Sequence, residues 1–372
     1  MAGIYLHIPF CKRLCGYCDF FKSVHTSRLD DVVERMCCEI EEQRDFLHDK
    51  SIETIYFGGG TPSLLSVSQV ERLLGKCGEN FDLSSLEEVT FEANPDDLTQ
   101  EYLNSIINIG INRLSLGVQS FDDELLRFMN RRHSSAQAQR AVEMARRAGF
   151  DNITIDLIFG IDGYPISTLE RSVDRALALG VEHISAYHLT IESGTEFARR
   201  LSKGELKQCS ESQSEEEYML LHDRLIEAGY EHYEISNYAL PGRLSKHNSS
   251  YWRGVEYLGV GAGAHGYNGD VRRAACCSIE EYLRGGDQVY EVEKLTLEAR
   301  YNEYVMTSLR WREGVDIEYL KKCFGEELTH YFTEGITPFV RRGDMYLDRN
   351  SIKIDAKSYL MSDFIIEALL VV

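Results

Sequence analysis

"YLHIPFCKRLCGYCDFF", residues 5–21, runs a short apolar segment straight into three cysteines, Cys11, Cys15 and Cys18, within eight positions. Clustered thiolates are soft ligands that suit zinc or an iron-sulfur cluster. A structural zinc site closes with four ligands, and the fourth here would be His7, His25 or a remote group. A cubane 4Fe-4S cluster usually takes four cysteines. With three, one iron keeps an open coordination position, and an open position is where chemistry happens. Core cysteines without a metal are the third reading, and spacing alone leaves all three open.

Outward from this stretch, β-branched and aromatic runs at 4–8, 54–57, 88–93, 113–119, 152–159 and 183–190 alternate with amphipathic stretches at 27–47, 69–77, 100–109, 136–148 and 167–179. Six strands separated by helices mean a parallel sheet with helical crossovers, an α/β fold. Several runs end in glycine or polar residues, in "FGGGTP", "FEANP", "LGVQSF" and "IDLIFG". Parallel α/β architectures collect functional groups at the carboxyl ends of their strands, so one cleft can gather all of these. Beyond residue 190 the pattern changes. An acidic helix is expected around 215–228, with Glu215, Glu216 and Glu217 as its solvated start, followed by a Tyr- and Gly-rich stretch at 230–267. Helices at 295–309 and 317–323 and a hairpin at 345–354 suggest a small separate domain.

Composition narrows the function. No apolar run in the 372 residues approaches the ~20 needed for a membrane span, and no basic stretch followed by an apolar signal segment opens the chain. A cytoplasmic protein with reduced thiols is expected. Cys37, Cys38, Cys77, Cys209, Cys276, Cys277 and Cys323 have no metal-like spacing. The formal charge of -20 opposes a polyphosphate partner, so nucleic acid is not expected.

CxxxCxxC with Tyr17 before the third cysteine, and "GGGTP" at 58–62, resemble the signatures of radical S-adenosylmethionine (SAM) proteins. The wider text resembles one branch, the oxygen-independent coproporphyrinogen oxidase family with its HemW-type haem chaperones. The matches are "FEANP", "LSLGVQSF", "MNRRH", "ITIDLIFG" and "YEISNYALPGRLSKHNSSYWRGVEYLGVGAGAHGY" from Tyr233 to Tyr267. The resemblance spans nearly the whole chain. It implies a partial (βα)6 TIM-type radical SAM barrel at 1–230, a linking region at 231–289 and a small, mainly helical C-terminal domain at 290–372. It implies a 4Fe-4S cluster on Cys11, Cys15 and Cys18. It also implies SAM contacts from Tyr5, Gly58, Gly59, Gly60, Thr61, Glu92, Gln119, Arg131 and Asp156. Acidic side chains suit ribose hydroxyls and Arg131 suits a carboxylate; strand-end solvation or a surface ion pair is the plainer account of each.

Two departures matter. Asp162 in "FGIDG" stands where relatives usually have proline, and Phe20 stands where the oxidase has a further cysteine. Phe20, with only ten residues ahead of Cys11, resembles the chaperone branch, for which haem is cargo. There "HNSSYW" matches an HNxxYW haem motif, with His247 as iron ligand and Asn248, Tyr251 and Trp252 beside it. A lone histidine among polar residues is otherwise a surface or capped side chain. Haem-receiving apoproteins, membrane respiratory proteins among them, and an electron donor are the implied partners. A homodimer and a peripheral membrane position remain open. Gly259, Gly261, Gly263 and Gly266 lack a dinucleotide-binding context and read as a tight turn, with the SAM adenine as a candidate neighbour. The competing activities are coproporphyrinogen III decarboxylation and RNA modification by a radical SAM enzyme, and whether the chain is an enzyme is left open. Eleven Lys and Arg against fifteen Asp and Glu at 291–372 disfavour the RNA reading.

Overall fold

Successive side chains of a strand point to opposite faces, and in six strands one set is apolar while the other is largely polar. These are β1 (Ala2–Ile8), β2 (Ile52–Gly59), β3 (Glu88–Ala93), β4 (Arg113–Gln119), β5 (Ile153–Phe159) and β6 (His183–His188). The apolar set, including Ile4, Leu6, Phe57, Phe91, Leu114 and Ile155, is fully buried. It packs under α1 (Leu29–Glu42), α2 (Val67–Asn80), α3 (Gln100–Asn108), α5 (Ser135–Ala148) and α6 (Ile166–Leu179), while α4 (Asp123–Phe128) belongs to a second cluster with Ile158 and Phe197. Local chemistry sets where these helices start and stop. Ser66 with Gln69 and Ser134 with Gln137 form capping boxes for α2 and α5, and left-handed Gly149 and Gly180 end α5 and α6.

The computed structural model describes residues 2–371. After β6 come α7 (Glu196–Ser202), α8 (Glu211–Glu227), β7 (Glu231–Glu234), β8 (Asn237–Ala239), α9 (Lys246–Trp252), β9 (Tyr257–Val260), β10 (His265–Tyr267), β11 (Val271–Ala275), α10 (Ile279–Arg284) and β12 (Tyr290–Lys294). One sheet runs β12-β11-β10-β9-β1-β2-β3-β4-β5-β6-β8-β7. The pairings from β9 to β6 are all parallel, and those outside them are antiparallel. The result is the expected partial barrel, open between its two edges, with β9 as a seventh parallel strand that the glycine-rich sequence hides. A Cβ on Gly259 would lie 1.8 Å from the carbonyl oxygen of His265, and one on Gly261 2.4 Å from that of His7. Only glycine allows that turn against β1.

The remainder holds α11 (Leu297–Arg310), β13 (Val315–Asp316), α12 (Ile317–Arg342, broken at Gly325), β14 (Met345–Asp348), β15 (Ser351–Ile354) and α13 (Ser362–Glu367). The strands form their own sheet, β13-β15-β14. One acid of the expected solvated cluster is buried instead. Glu217 accepts the Gly160 amide at 2.7 Å and the Gln213 side chain at 2.7 Å, which ties α8 to the end of β5. Both of its carboxyl oxygens accept hydrogen bonds from the chain itself. Among the described residues no helix is long and apolar enough to cross a membrane.

Candidate functional site

The polar faces of β1 to β6 turn inward and converge at the carboxyl ends on a cleft of about 450 Å³. Cys11, Cys15, Cys18, Gly59, Gly60, Thr61, Glu92, Gln119, Arg131 and Asp156 all line it. Tyr5 and Gly58 lie just beneath, since a Cβ on Gly58 would come within 3.1 Å of both the Tyr5 ring and a Glu92 carboxylate oxygen. The residues singled out for a cluster and for SAM thus sit together. His247, Asn248, Tyr251 and Trp252 do not line this cleft; they form α9, at the amino ends of the strands.

The cysteine loop is held from several sides. Asn130 Nδ2 donates to the Leu14 carbonyl at 2.7 Å, and the Phe197 amide donates to the Gly16 carbonyl at 2.8 Å. Lys12 bonds Asp97 at 2.7 Å, and Arg132 bonds the same carboxylate at 2.7 Å. Burial pushes the Asp97 carboxyl up, but hydrogen bonds from Lys12 and Arg132 outweigh it and hold the group below its ordinary range. Thr61 Oγ1 donates to Cys11 Sγ at 3.3 Å and Arg131 Nη1 to Cys15 Sγ at 3.2 Å. These donors suit thiolates, which keep residual negative charge when they bind iron.

Among the described residues no three of His, Cys, Asp and Glu converge on one metal ion. The three thiols share one cleft.

Deeper in the cleft, Tyr56 donates to Glu92 Oε1 at 2.6 Å. Burial pushes the Glu92 carboxyl up, and the Tyr56 hydroxyl, the Gly59 amide and Arg113 pull it partly back. Asp156 is pushed to about 7, first by burial and then by the Glu92 charge. Arg131 also donates to Asn94 Oδ1 at 2.6 Å, and its Nε is buried without a partner. Two carboxylates and a guanidinium with an unmade hydrogen bond fit a zwitterionic sulfonium nucleoside such as SAM. Asn94 and Ser115 complete this wall; the first stands inside the quoted "FEANP", while the second carries no motif.

His7 Nε2 faces the Phe21 carbonyl at 3.1 Å, which can only accept, so His7 Nδ1 accepts a hydrogen bond from the Tyr5 hydroxyl at 3.0 Å. This chain ties Tyr5 to the end of the cysteine loop. Gly59, at φ 97°, leaves the room, since a Cβ there would lie 2.4 Å from the His7 ring. Replacing Gly59 with Ala should cost about 1–3 kcal/mol through overpacking, plus the strain of a positive φ. Chemical denaturation checks this, and an unchanged midpoint would show that the ring yields freely.

At the other end of the barrel, α9 closes the floor. His247 is 1% exposed. Its Nδ1 meets Thr54 Oγ1 at 2.8 Å and its Nε2 meets the Tyr251 hydroxyl at 2.7 Å. Both ring nitrogens are therefore engaged. Burial, then the Arg113 charge, lowers its pKa to about 3, so the ring is neutral. None of the glycines at 259–266 lines the cleft.

Comparisons with known proteins agree with this geometry. A radical SAM superfamily model matches residues 5–176, and a HemN C-terminal domain model matches residues 295–357. The chain is 38% identical to the haem chaperone HemW of Lactococcus lactis, covering 98% of this chain and 96% of that protein. It is 34% identical to the haem chaperone HemW of Bacillus subtilis, covering 100% and 99%. In fold it resembles the radical SAM enzyme coproporphyrinogen III oxidase (HemN) of Escherichia coli, with a TM-score of 0.84 and 23% identity over 99% of this chain and 89% of that one. With near full-length identity above a third to proteins named HemW and a radical SAM model over residues 5–176, this chain belongs to the HemW family of radical SAM proteins.

Proposed function

We propose that this protein is a haem chaperone that binds haem and hands it to haem-requiring apoproteins, and that it retains a 4Fe-4S cluster and SAM. The observation that carries the reading is the near full-length likeness to proteins named haem chaperone HemW. Cluster and SAM together supply one-electron chemistry at a sulfonium when bound. In this reading Cys11, Cys15 and Cys18 hold the cluster and leave one iron for the amino and carboxylate groups of SAM. Arg131 pairs with that carboxylate, and Gly58, Gly59, Gly60 and Thr61 give backbone room at the amino end. Glu92, Gln119 and Asp156 take the ribose and sulfonium side, with Tyr5 below. A bound cluster would need an outside electron donor. The protein works in the cytoplasm or at a membrane face, where respiratory apoproteins are candidate recipients, and a homodimer is compatible with it.

Haem contact by His247, Asn248, Tyr251 and Trp252 belongs to the same proposal. For His247 to reach an iron, one ring nitrogen must give up either Thr54, across the barrel floor on β2, or Tyr251, on α9 itself. Phe20, 64% exposed on the cleft rim, supports the chaperone over the oxidase, because it offers an apolar surface where the oxidase carries a cysteine.

The test is anaerobically reconstituted protein offered coproporphyrinogen III, SAM and reductant, with haem titrated in parallel. Haem should bind with a Soret band and no carbon dioxide should be released. Decarboxylation with SAM consumption and no haem binding would replace the chaperone reading with the oxidase.

A further inference from the structure

The HNxxYW helix, α9, has a seat built for it across three neighbouring strands. On β1, Gly3 leaves space for the imidazole, since a Cβ there would lie 3.2 Å from the His247 ring. On β2, Thr54 bonds Nδ1. On β3, the buried Glu88 carboxylate accepts the amides of Lys246 at 2.9 Å and His247 at 3.0 Å, capping the start of α9. Arg113 lies 3.9 Å from the same carboxylate and is itself 1% exposed. A buried carboxyl must have its hydrogen bonds made, and Glu88 divides its acceptors between this helix and the Thr90 hydroxyl at 3.1 Å. The seated ring has a second set of neighbours. It stacks on Tyr56, with centroids 5.1 Å apart and planes at 29°, and on Tyr5, at 6.4 Å and 26°. Tyr56 is the residue whose hydroxyl holds Glu92.

We propose that His247 is a positioning residue for the SAM cleft: seated between Thr54 and Tyr251, it fixes the Tyr56 ring and through it the Glu92 carboxylate. The inference rests on the reading of the cleft as a SAM site. It assigns the motif a task at the barrel floor whether or not His247 also meets haem. Any event that draws His247 out of its seat loosens the wall that Glu92 belongs to, so occupancy of the motif by a ligand and of the cleft by SAM oppose each other.

The experiment uses full-length, cluster-reconstituted protein and measures the SAM dissociation constant by anaerobic equilibrium dialysis. It compares wild type, His247→Ala, Tyr56→Phe and the double variant, with cluster absorbance and thermal midpoint recorded for each. The expectation is about a tenfold weakening for each single variant, the scale of one lost hydrogen bond to a charged group. The double variant should be no weaker than the worse single one, and cluster absorbance should be unchanged. Two effects that multiply would mean that His247 does not act through Tyr56, and wild-type affinity in His247→Ala would end the proposal. A purely structural role moves the thermal midpoint alone. If His247→Ala does not fold, Thr54→Val is read in its place; it removes one of the two ring bonds at nearly constant volume. It should weaken SAM in the same direction and fail to add to Tyr56→Phe; unchanged affinity overturns the inference. Wild-type protein that binds no SAM overturns the SAM reading itself and this inference with it, whereas wild-type binding with indifferent variants overturns this inference alone.

Discussion

Replacing any one of Cys11, Cys15 and Cys18 with Ala is expected to abolish the broad visible absorption of the anaerobically reconstituted protein, and the triple replacement should leave no bound iron. Each thiolate serves a different iron, so loss of one opens a second iron to solvent and the cluster degrades. The polypeptide should survive the change. All three cysteines are partly exposed on a surface loop, and apart from the bonds that Cys11 and Cys15 accept from Thr61 and Arg131 the contacts that shape that loop come from elsewhere. Asn130 holds Leu14, the Phe197 amide holds Gly16, and Lys12 is tied to Asp97. The thermal midpoint of the metal-free variant should therefore stay close to that of metal-free wild type, since substitutions away from core features usually cost no more than about 0.5 kcal/mol. Stoichiometric zinc without iron in the wild type would sink the cluster assignment.

The barrel was legible because its signal is doubled. Period-two alternation marks each strand, the 3.6-residue period marks the stretches between, and the alternation of the two admits few topologies. The same alternation also foretells the lining. In "ETIYFGG", "EVTFEA" and "ITIDLIF" the polar or small positions are those that face the barrel interior, and they include Tyr56, Thr90, Glu92 and Asp156. Strand β9 was not legible. Its residues, Tyr257 to Val260, sit among glycines whose presence is required by close backbone approaches that only a folded chain reveals.

The site was legible where residue type alone states the chemistry, as with three cysteines or a glycine run. It was illegible where a role is created by a distant partner. Nothing near His247 in the sequence announces Thr54 or Glu88, some 193 and 159 positions away. A histidine between polar neighbours reads as a surface side chain or a ligand, and burial removes the first of these. Glu217 taught the same lesson from the opposite direction, since an acid within an acidic run found a buried amide at Gly160. Polar residues are read from sequence as solvated by default, and the error falls on those whose donors lie far along the chain.

Asp156 is expected to link stability to function through pH. Its carboxyl is pushed from the ordinary 3.8 to about 7, by burial first and the Glu92 charge second. Between those values the folded protein without SAM keeps a proton that the unfolded chain has released. Stability from this group therefore falls as pH rises from about 4 to about 7 and stays low above that. Glu234, also raised to about 7 by burial, acts in the same direction. His247, lowered to about 3, and His133, lowered to about 4, act in the opposite one and cost stability as pH falls. A pH scan of the wild type alone would blend these effects, whereas the difference between wild type and Asp156→Asn isolates one group. That variant should match the wild type near pH 4, where Asp156 is protonated when folded, and have the higher thermal midpoint at pH 8. It should also bind SAM about 10- to 100-fold more weakly, because a charged acceptor for ribose hydroxyls is replaced by a neutral amide. A residue that raises stability when removed and lowers affinity when removed is held in place by its ligand. Equal midpoints at pH 8 would show that water reaches Asp156 and relieves its charge. Unchanged SAM affinity would move the ribose away from this side of the cleft.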